Sequence, residues 1–321
     1  MPWPERKLIE HIRRLARPRA GRALVHGIGD DCAVLELHSR QQLLVTTDLC
    51  IENVHFRRGW HPAASIGYRC LARGLSDIAA MGGEPLACFL SLGLPPRLPQ
   101  RWVDQFLEGF ARLARDFALP LAGGDTSRAP VITADIVVIG QAPAGTALLR
   151  SGAKPGDRIY VTGALGESGV VLKRLYAGQR VSPKTGSRHF YPSPRLKVGQ
   201  WLRRKRLATA MIDLSDGLSV DLAHICEESR VCAEIVAARI PVASGSTLEL
   251  ALHAGDDYEL LFTAPANARV PARIAGVSVS EMGVVRRKKD YLPAIQILDD
   301  NGRLRTLTSR GWQHFAEQKK R

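Results

Sequence analysis

The sequence predicts a mixed α/β protein, either α/β or α+β, organised as two domains. Three observations carry that reading. The chain has 321 residues and 45% hydrophobic content, enough to bury more than one core. Short apolar runs of strand character alternate with segments of helical spacing. The Gly-, Ala- and Pro-rich stretch APAGTALLRSGAKPGD, residues 142–157, divides the chain near its middle, so the domains are expected at 1–145 and 146–321.

In chain order, the strand-like runs are LLVTTDL (43–49), ACFLSLGL (87–94), ITADIVVIGQA (132–142), RIYVTG (158–163) and YELLFTA (258–264). Trp102, Phe106, Phe110, Leu113 and Phe117 recur at helical spacing and form a core-facing stripe. Leu218, Leu222, Ile225 and Ser229 do the same in the second half. Asp300-Asn301-Gly302, between IQIL and LRTL, predicts a tight hairpin turn and a meander there.

Composition excludes several classes. No run of about 18 apolar residues is present, and the N-terminal MPWPERKLIEHIRRLARPR has the wrong pattern for a signal peptide, so a cytoplasmic protein with no membrane partner is expected. The six cysteines form no C-x-x-C pair and read as reduced, buried thiols. Cys32 and Cys50 lie beside acidic motifs but suit packing, since soft thiolates are poor magnesium ligands. The formal net charge of +14 is spread over separate basic clusters without interleaved aromatics, which argues against nucleic acid as a partner.

Against that basic background, carboxylates gather at special places. Asp213, Ser215 and Asp216 stand in MIDLSDGLSVDL, where an apolar run meets the start of a helix. Asp30 and Asp31 stand in HGIGDDCAV, Asp48 in VTTDLCIENVHF, Asp77 in GLSDIAAMGG and Asp125 in AGGDTSR. Singly, each reads as a cap or turn former. Jointly, carboxylates with Thr and Ser neighbours offer hard oxygen donors for Mg²⁺, which keeps waters and shares substrate phosphates. Divalent cations among them would also offset their mutual repulsion. The Gly-rich turns GGDTS (123–127) and GALGESG (163–169) can present backbone N–H groups to an anion, or can be plain turns. No Walker P-loop and no protein-kinase catalytic loop is present.

The motifs GIGDDCAV, TTDLCIENVHF, LSDIAAMGG, GGDTS, RSGAKPGDRIYVTG, MIDLSDGL, GDDYELLF and GWQHF, in this order and over most of the chain, closely resemble the thiamine-monophosphate kinases. These belong to the superfamily of aminoimidazole ribonucleotide synthetase and selenophosphate synthetase. The resemblance implies a two-domain fold whose N-terminal domain pairs strands across a homodimer and whose C-terminal α/β domain closes over the nucleotide. It implies transfer of the ATP γ-phosphate to thiamine monophosphate, with several Mg²⁺ ions, ATP as co-substrate and no residue as general base. By the same resemblance, Asp30, Thr46, Thr47, Asp48, Asp77, Asp125, Asp213 and Asp216 match metal positions, with Asp48, Asp213 and Asp216 acting in catalysis through the metal. Gly124, Asp125, Arg150 and Ser215 match nucleotide positions, and His55, Asp256 and Trp312 match substrate positions, with Asp257 or Glu259 as alternatives to Asp256. The chain departs from the family pattern at Asn53, where Gly is usual, at Gly74, where Asn is expected, and at Asp256, where Glu is at least as common. The VHF and GWQHF motifs favour thiamine phosphate over another acceptor within the superfamily.

Overall fold

The computed structural model describes residues 40–288 and 294–311, with 11–12, 14, 24–26 and 34–35. It divides into two compact units, one holding residues 1–147 and 190–196, the other 148–189 and 197–321. The short return of Phe190–Leu196 to the first unit is invisible to a boundary drawn in the 142–157 stretch.

In the first unit, β1 (Leu24–His26) and β2 (Val34–Leu35) pair with each other. The main sheet holds β3 (Gln41–Ile51), β4 (Glu84–Leu94), β5 (Leu121–Gly123), β6 (Thr126–Arg128) and β7 (Thr133–Pro143). Its order is β3-β7-β4-β5, with β6 also on β4. Strand β7 runs antiparallel to both β3 and β4, while β5 and β6 run parallel to β4. Alternation decides the faces: in β7, Ala134, Ile136 and Val138 are buried and the residues between them half-buried.

Two helices cover the buried face, α1 (Ala63–Ala80) and α2 (Gln100–Asp116). Phe106, Phe110 and Leu113 of the expected stripe are fully buried in α2. Gly67 and Gly109 let the helices approach very closely. A Cβ on Gly67 would lie 1.9 Å from the Phe106 carbonyl oxygen, and one on Gly109 only 1.8 Å from that of Ala64. The opposite face of the sheet is open, with Leu43, Val45 and Leu49 of the edge strand β3 exposed.

The second unit is built on a larger sheet. Its strands are β8 (Arg158–Thr162), β9 (Ala210–Asp213), β10 (Val231–Val236), β11 (Leu260–Ala264), β12 (Arg273–Ile274), β13 (Val277–Arg287), β14 (Ile295–Leu298) and β15 (Leu304–Thr306). The order is β15-β14-β10-β13-β8-β11-β9, with β12 on β13. Helices α3 (Glu167–Tyr176), α4 (Ser187–Phe190), α5 (Leu196–Lys205), α6 (Leu218–Ser229) and α7 (Leu248–His253) follow among the described residues, with a 3-10 turn at Ala237–Arg239. The expected hairpin is present, since β14 and β15 are antiparallel and Gly302 sits in its turn at φ 73°. The expected meander is not: β14 leaves β13 and joins β10 in parallel. Hydrophobic patterning fixes the buried faces but not which neighbour a strand takes. Side chains of α6, including Leu218, Leu222 and Ile225, pack with Ile159, Ile212, Leu261 and Ile235 of the sheet.

Candidate active site

In the first unit, β3 and α1 bring one acidic group together. Thr46, Asp48 and Cys50 alternate along β3 on the face turned to α1, which supplies Arg73 and Asp77. The Thr46 hydroxyl donates to Asp77 Oδ2. Arg73 grips Asp48 with its fork, Nη2 lying 2.7 Å from Oδ1 and Nε donating to Oδ2 at 3.1 Å. Asp48 is therefore mid-strand, not at a strand end. The same alternation turns Thr47, an exposed residue, to the opposite face, away from Thr46 and Asp48.

At Gly74, a Cβ would lie 2.6 Å from Val138 Cγ2, so the glycine departing from the family pattern lets β7 pack close under α1. Asn53, the other departure, holds φ 67°, a left-handed conformation that Asn tolerates better than most side chains. Just beyond, Ile51 N–H donates to His55 Nδ1 at 3.0 Å. A backbone amide can only donate, so Nδ1 accepts and the proton of a neutral ring sits on Nε2.

The turn after β5 carries Gly124 and Asp125, both exposed. A Cβ on Gly124 would lie 1.9 Å from the Leu90 carbonyl oxygen, so only glycine fits there. Thr126 N–H donates to Asp125 Oδ1 at 2.8 Å. Among the described residues, the Thr126 hydroxyl is buried without a hydrogen-bond partner, an orphaned oxygen beside the carboxylate.

In the second unit, Asp213 ends β9 and is buried, with Ser215 and Asp216 in the loop that leads into α6. The strand pairing of β9 with β11 continues beyond both strands. Leu214 N–H donates to Glu259 O, Tyr258 N–H to Leu214 O and Asp256 N–H to Ser215 O, at 2.8, 2.8 and 2.9 Å. The two acidic motifs thus run side by side. Asp256 and Tyr258 both hold positive φ, at 64° and 50°, strain of the kind concentrated at working loops. The Tyr258 hydroxyl donates to Asp256 Oδ1 at 2.8 Å, fixing that carboxylate.

The two alternatives to Asp256 have other engagements. Asp257 accepts from Gly166 N–H at the start of α3, and burial pushes its carboxyl up to about 8. Glu259 is buried and accepts from the Thr162 hydroxyl at 2.6 Å. Arg150 is exposed, and its carbonyl accepts from Ser229 Oγ at 3.0 Å.

One residue escaped the sequence reading. Asp221, in the first turn of α6, accepts from the N–H groups of Asp216 and Gly217 at 3.2 and 3.1 Å, holding the loop that carries Asp216. Burial pushes its carboxyl up to about 8, and the charges of Asp213 and Asp216 push the same way. The signal was present in SVDL, but an acidic residue in a first helical turn reads as a partner of the helix dipole. Asp30 and Trp312 lie outside the described residues.

The donor set suits magnesium. In the first unit Asp48, Asp77 and Asp125, with the Thr46 and orphaned Thr126 hydroxyls, are hard oxygens, and so, separately, are Asp213 and Asp216 in the second. Among the described residues, no three His, Cys, Asp or Glu side chains converge into a cage. Magnesium seldom takes an all-protein cage and fills its octahedron with water and phosphate oxygens.

The fold and these acidic loops define the class. The chain matches the family models "AIR synthase related protein, N-terminal domain" over residues 29–142 and "AIR synthase related protein, C-terminal domain" over 154–292. It is 38% identical over 307 residues to the thiamine-monophosphate kinase of Salmonella typhimurium, covering 90% of this chain and 92% of that one. The crystal structure of thiamine-monophosphate kinase from Stenotrophomonas maltophilia K279a matches with TM-score 0.80 at 34% identity, over 90% of this chain and 95% of the other. A structure described as AaThiL complexed with AMPPCP and TMP matches with TM-score 0.77 at 28% identity, over 96% of both chains. The chain belongs to the thiamine-monophosphate kinase family.

Proposed function

We propose that the protein transfers the γ-phosphate of ATP to thiamine monophosphate, giving thiamine diphosphate and ADP in the last step of thiamine diphosphate synthesis. One observation carries this reading: the chain aligns over nine-tenths of its length with a thiamine-monophosphate kinase at 38% identity. The acidic loops Asp48/Asp77, Asp125 and Asp213/Asp216 are what such a reaction needs. A relative complexed with AMPPCP, an ATP analogue, and TMP supports both substrates.

The acceptor is a phosphate monoester with a second pKa of about 6, so it presents an ionised oxygen at neutral pH. No side chain is needed as general base. The difficulty is bringing two anions into line and stabilising the charge on the transferring group and the leaving oxygen. Bound Mg²⁺ supplies that neutralisation. By family resemblance, Asp48, Asp77 and Asp125 of the first unit and Asp213 and Asp216 of the second would hold it, with Asp30, Thr46 and Thr47 as further matched positions.

Gly124 and Asp125 present the turn after β5 to the nucleotide, and Arg150 and Ser215 contact its phosphates. Only glycine at 124 lets this turn lie so close to Leu90. The Nε2–H of His55 donates to the thiamine substrate, while Nδ1 is held by Ile51 N–H. Asp256, fixed by Tyr258, faces the substrate, and by family resemblance Trp312 would stack on its cationic ring.

The homodimer belongs to the same reading. Leu43, Val45 and Leu49 are 48%, 61% and 49% exposed on an eleven-residue edge strand. Such an edge and open face are covered by a partner in stable proteins, and a second copy supplies an identical apolar face. Val45→Asp is expected to give a monomer in size-exclusion chromatography with light scattering. A Val45→Asp protein that keeps the wild-type mass would refute the interface.

The deciding experiment follows thiamine diphosphate by chromatography in mixtures of the purified protein with ATP, Mg²⁺ and thiamine monophosphate. Product is expected only with the monophosphate, not with free thiamine, and only with magnesium. Magnesium-dependent ATP binding without product would move the acceptor to another member of the superfamily. No described helix is long and apolar enough to cross a membrane.

A further inference from the structure

On α1, Arg69, Arg73 and Asp77 recur every four residues and share one face. On β3, Cys50, Asp48 and Thr46 recur every two residues and face that helix. Four helical residues rise about 6 Å and two strand residues about 6.7 Å, so stripes running in opposite directions stay in step. The resulting pairs are Arg73 with Asp48 and Asp77 with Thr46. One carboxylate faces a full positive charge, and the next accepts from a hydroxyl.

The Arg73 pair is of the strong kind. A two-pronged guanidinium–carboxylate contact occupies a lone pair on each oxygen and fixes the carboxylate plane. The side chains are 17% and 22% exposed, so water screens them only in part. A divalent cation approaching Asp48 therefore meets a carboxylate already neutralised and a like charge beside it.

We infer that Arg73 is an internal counter-cation that holds Asp48 in the nucleotide-free protein, so that a divalent ion takes Asp48 only against its charge. This rests on the magnesium reading above. Its consequence is an order of binding. The free protein binds metal weakly at Asp48, whereas nucleotide phosphates supply the negative charge that offsets both cations. Metal and nucleotide then enter together. Arg73 thereby sets the magnesium requirement of the reaction without touching substrate.

The test titrates Mn²⁺ into the full-length protein and reads free Mn²⁺ by electron paramagnetic resonance, with and without a non-hydrolysable ATP analogue. Wild type, Arg73→Gln and Arg73→Lys are compared. Without nucleotide, Arg73→Gln is expected to bind Mn²⁺ about tenfold more tightly than wild type. Arg73→Lys, which keeps the charge but loses the fork, should stay within about twofold. With the analogue, the gap between wild type and Arg73→Gln should shrink. Equal or weaker binding by Arg73→Gln overturns the inference and makes Arg73 a residue that orients Asp48. If no variant binds Mn²⁺ even with the analogue, the magnesium reading itself falls. Should Arg73→Gln fail to fold, the wild-type Arg73 Nε–H resonance decides. It should move when Mg²⁺ and analogue are added together and hardly at all with Mg²⁺ alone at low concentration. A signal unmoved by both together overturns the inference.

Discussion

In the first unit, the carboxylates of Asp48 and Asp77 lie where one strand and one helix supply their partners, Arg73 and the Thr46 hydroxyl. In the second unit, burial pushes the Asp221 carboxyl up to about 8, and the charges of Asp213 and Asp216 push the same way. One region answers its negative charge from within. The other buries a carboxyl among neighbouring carboxylates, and burial favours its protonated form. The lesson is that two acidic motifs with the same composition can carry opposite electrostatic balances, and the balance is set by what the next element brings alongside.

The sharpest way to break this comparison is to neutralise one carboxylate on each side. Asp48→Asn and Asp213→Asn should each lower turnover by about 10³-fold or more, measured as thiamine diphosphate formed, with circular dichroism unchanged. In chelator, however, their thermal shifts should have opposite signs. Asp48→Asn leaves a guanidinium without its anion and should cost about 1 kcal/mol, while Asp213→Asn removes one of the charges that push the Asp221 carboxyl up and should raise the melting temperature. Shifts of the same sign would show that the two groups are balanced alike.

The next largest effect is a pH dependence confined to the second unit. The folded carboxyls of Asp221 and Asp257 sit near 8, well above the ordinary 3.8 of an unfolded Asp. Between those values the folded state binds more protons than the unfolded one. Their contribution to stability is therefore complete below about pH 4 and lost as the pH climbs to about 8. Denaturation of the metal-free protein across that range should show the decline. Asp221→Asn keeps an acceptor for the Asp216 and Gly217 amides, and should flatten the curve and match wild type only at low pH. A curve as steep as wild type would remove Asp221 from the account.

Smaller effects sharpen the first unit. His55→Ala should raise KM for thiamine monophosphate about tenfold with kcat changed less, as expected for a residue that orients substrate. A fall in kcat alone, at constant KM, would make His55 a participant in the chemistry. Smallest of all, Thr126→Val removes the orphaned hydroxyl beside Asp125 and should leave stability within about 1 kcal/mol of wild type or slightly above it. A loss of ATP affinity in that variant, seen by calorimetry, would show that the hydroxyl finds its partner on the nucleotide.

Much of the fold was legible in the sequence. Periodicity placed β3, β4, β7, β8 and β11 and the stripe of α2, and the acidic motifs marked the loop after β9 and the turn after β5. Pairing was less so, because β14 has the pattern of a buried strand whether it joins β13 or β10. Arg73 was unreadable for a different reason. Nothing in its own neighbourhood separates it from the other basic residues, and its role appears only when a helix of period 3.6 is set in step against a strand of period 2. Thr47, matched to a metal position by family resemblance, lies on the face of β3 opposite to Thr46 and Asp48.

The edge strand that bears Asp48 also imposes a schedule on synthesis. Strand β3 ends at residue 51, yet its one partner among the described residues, β7, spans 133–143 and pairs with it along all eleven positions, setting Asp48 opposite Ile136. A ribosome must therefore add more than eighty residues after Asp48 before the strand has anything to pair with. Nascent chains that stop short of β7 carry the motif TTDLC without the ladder that holds it.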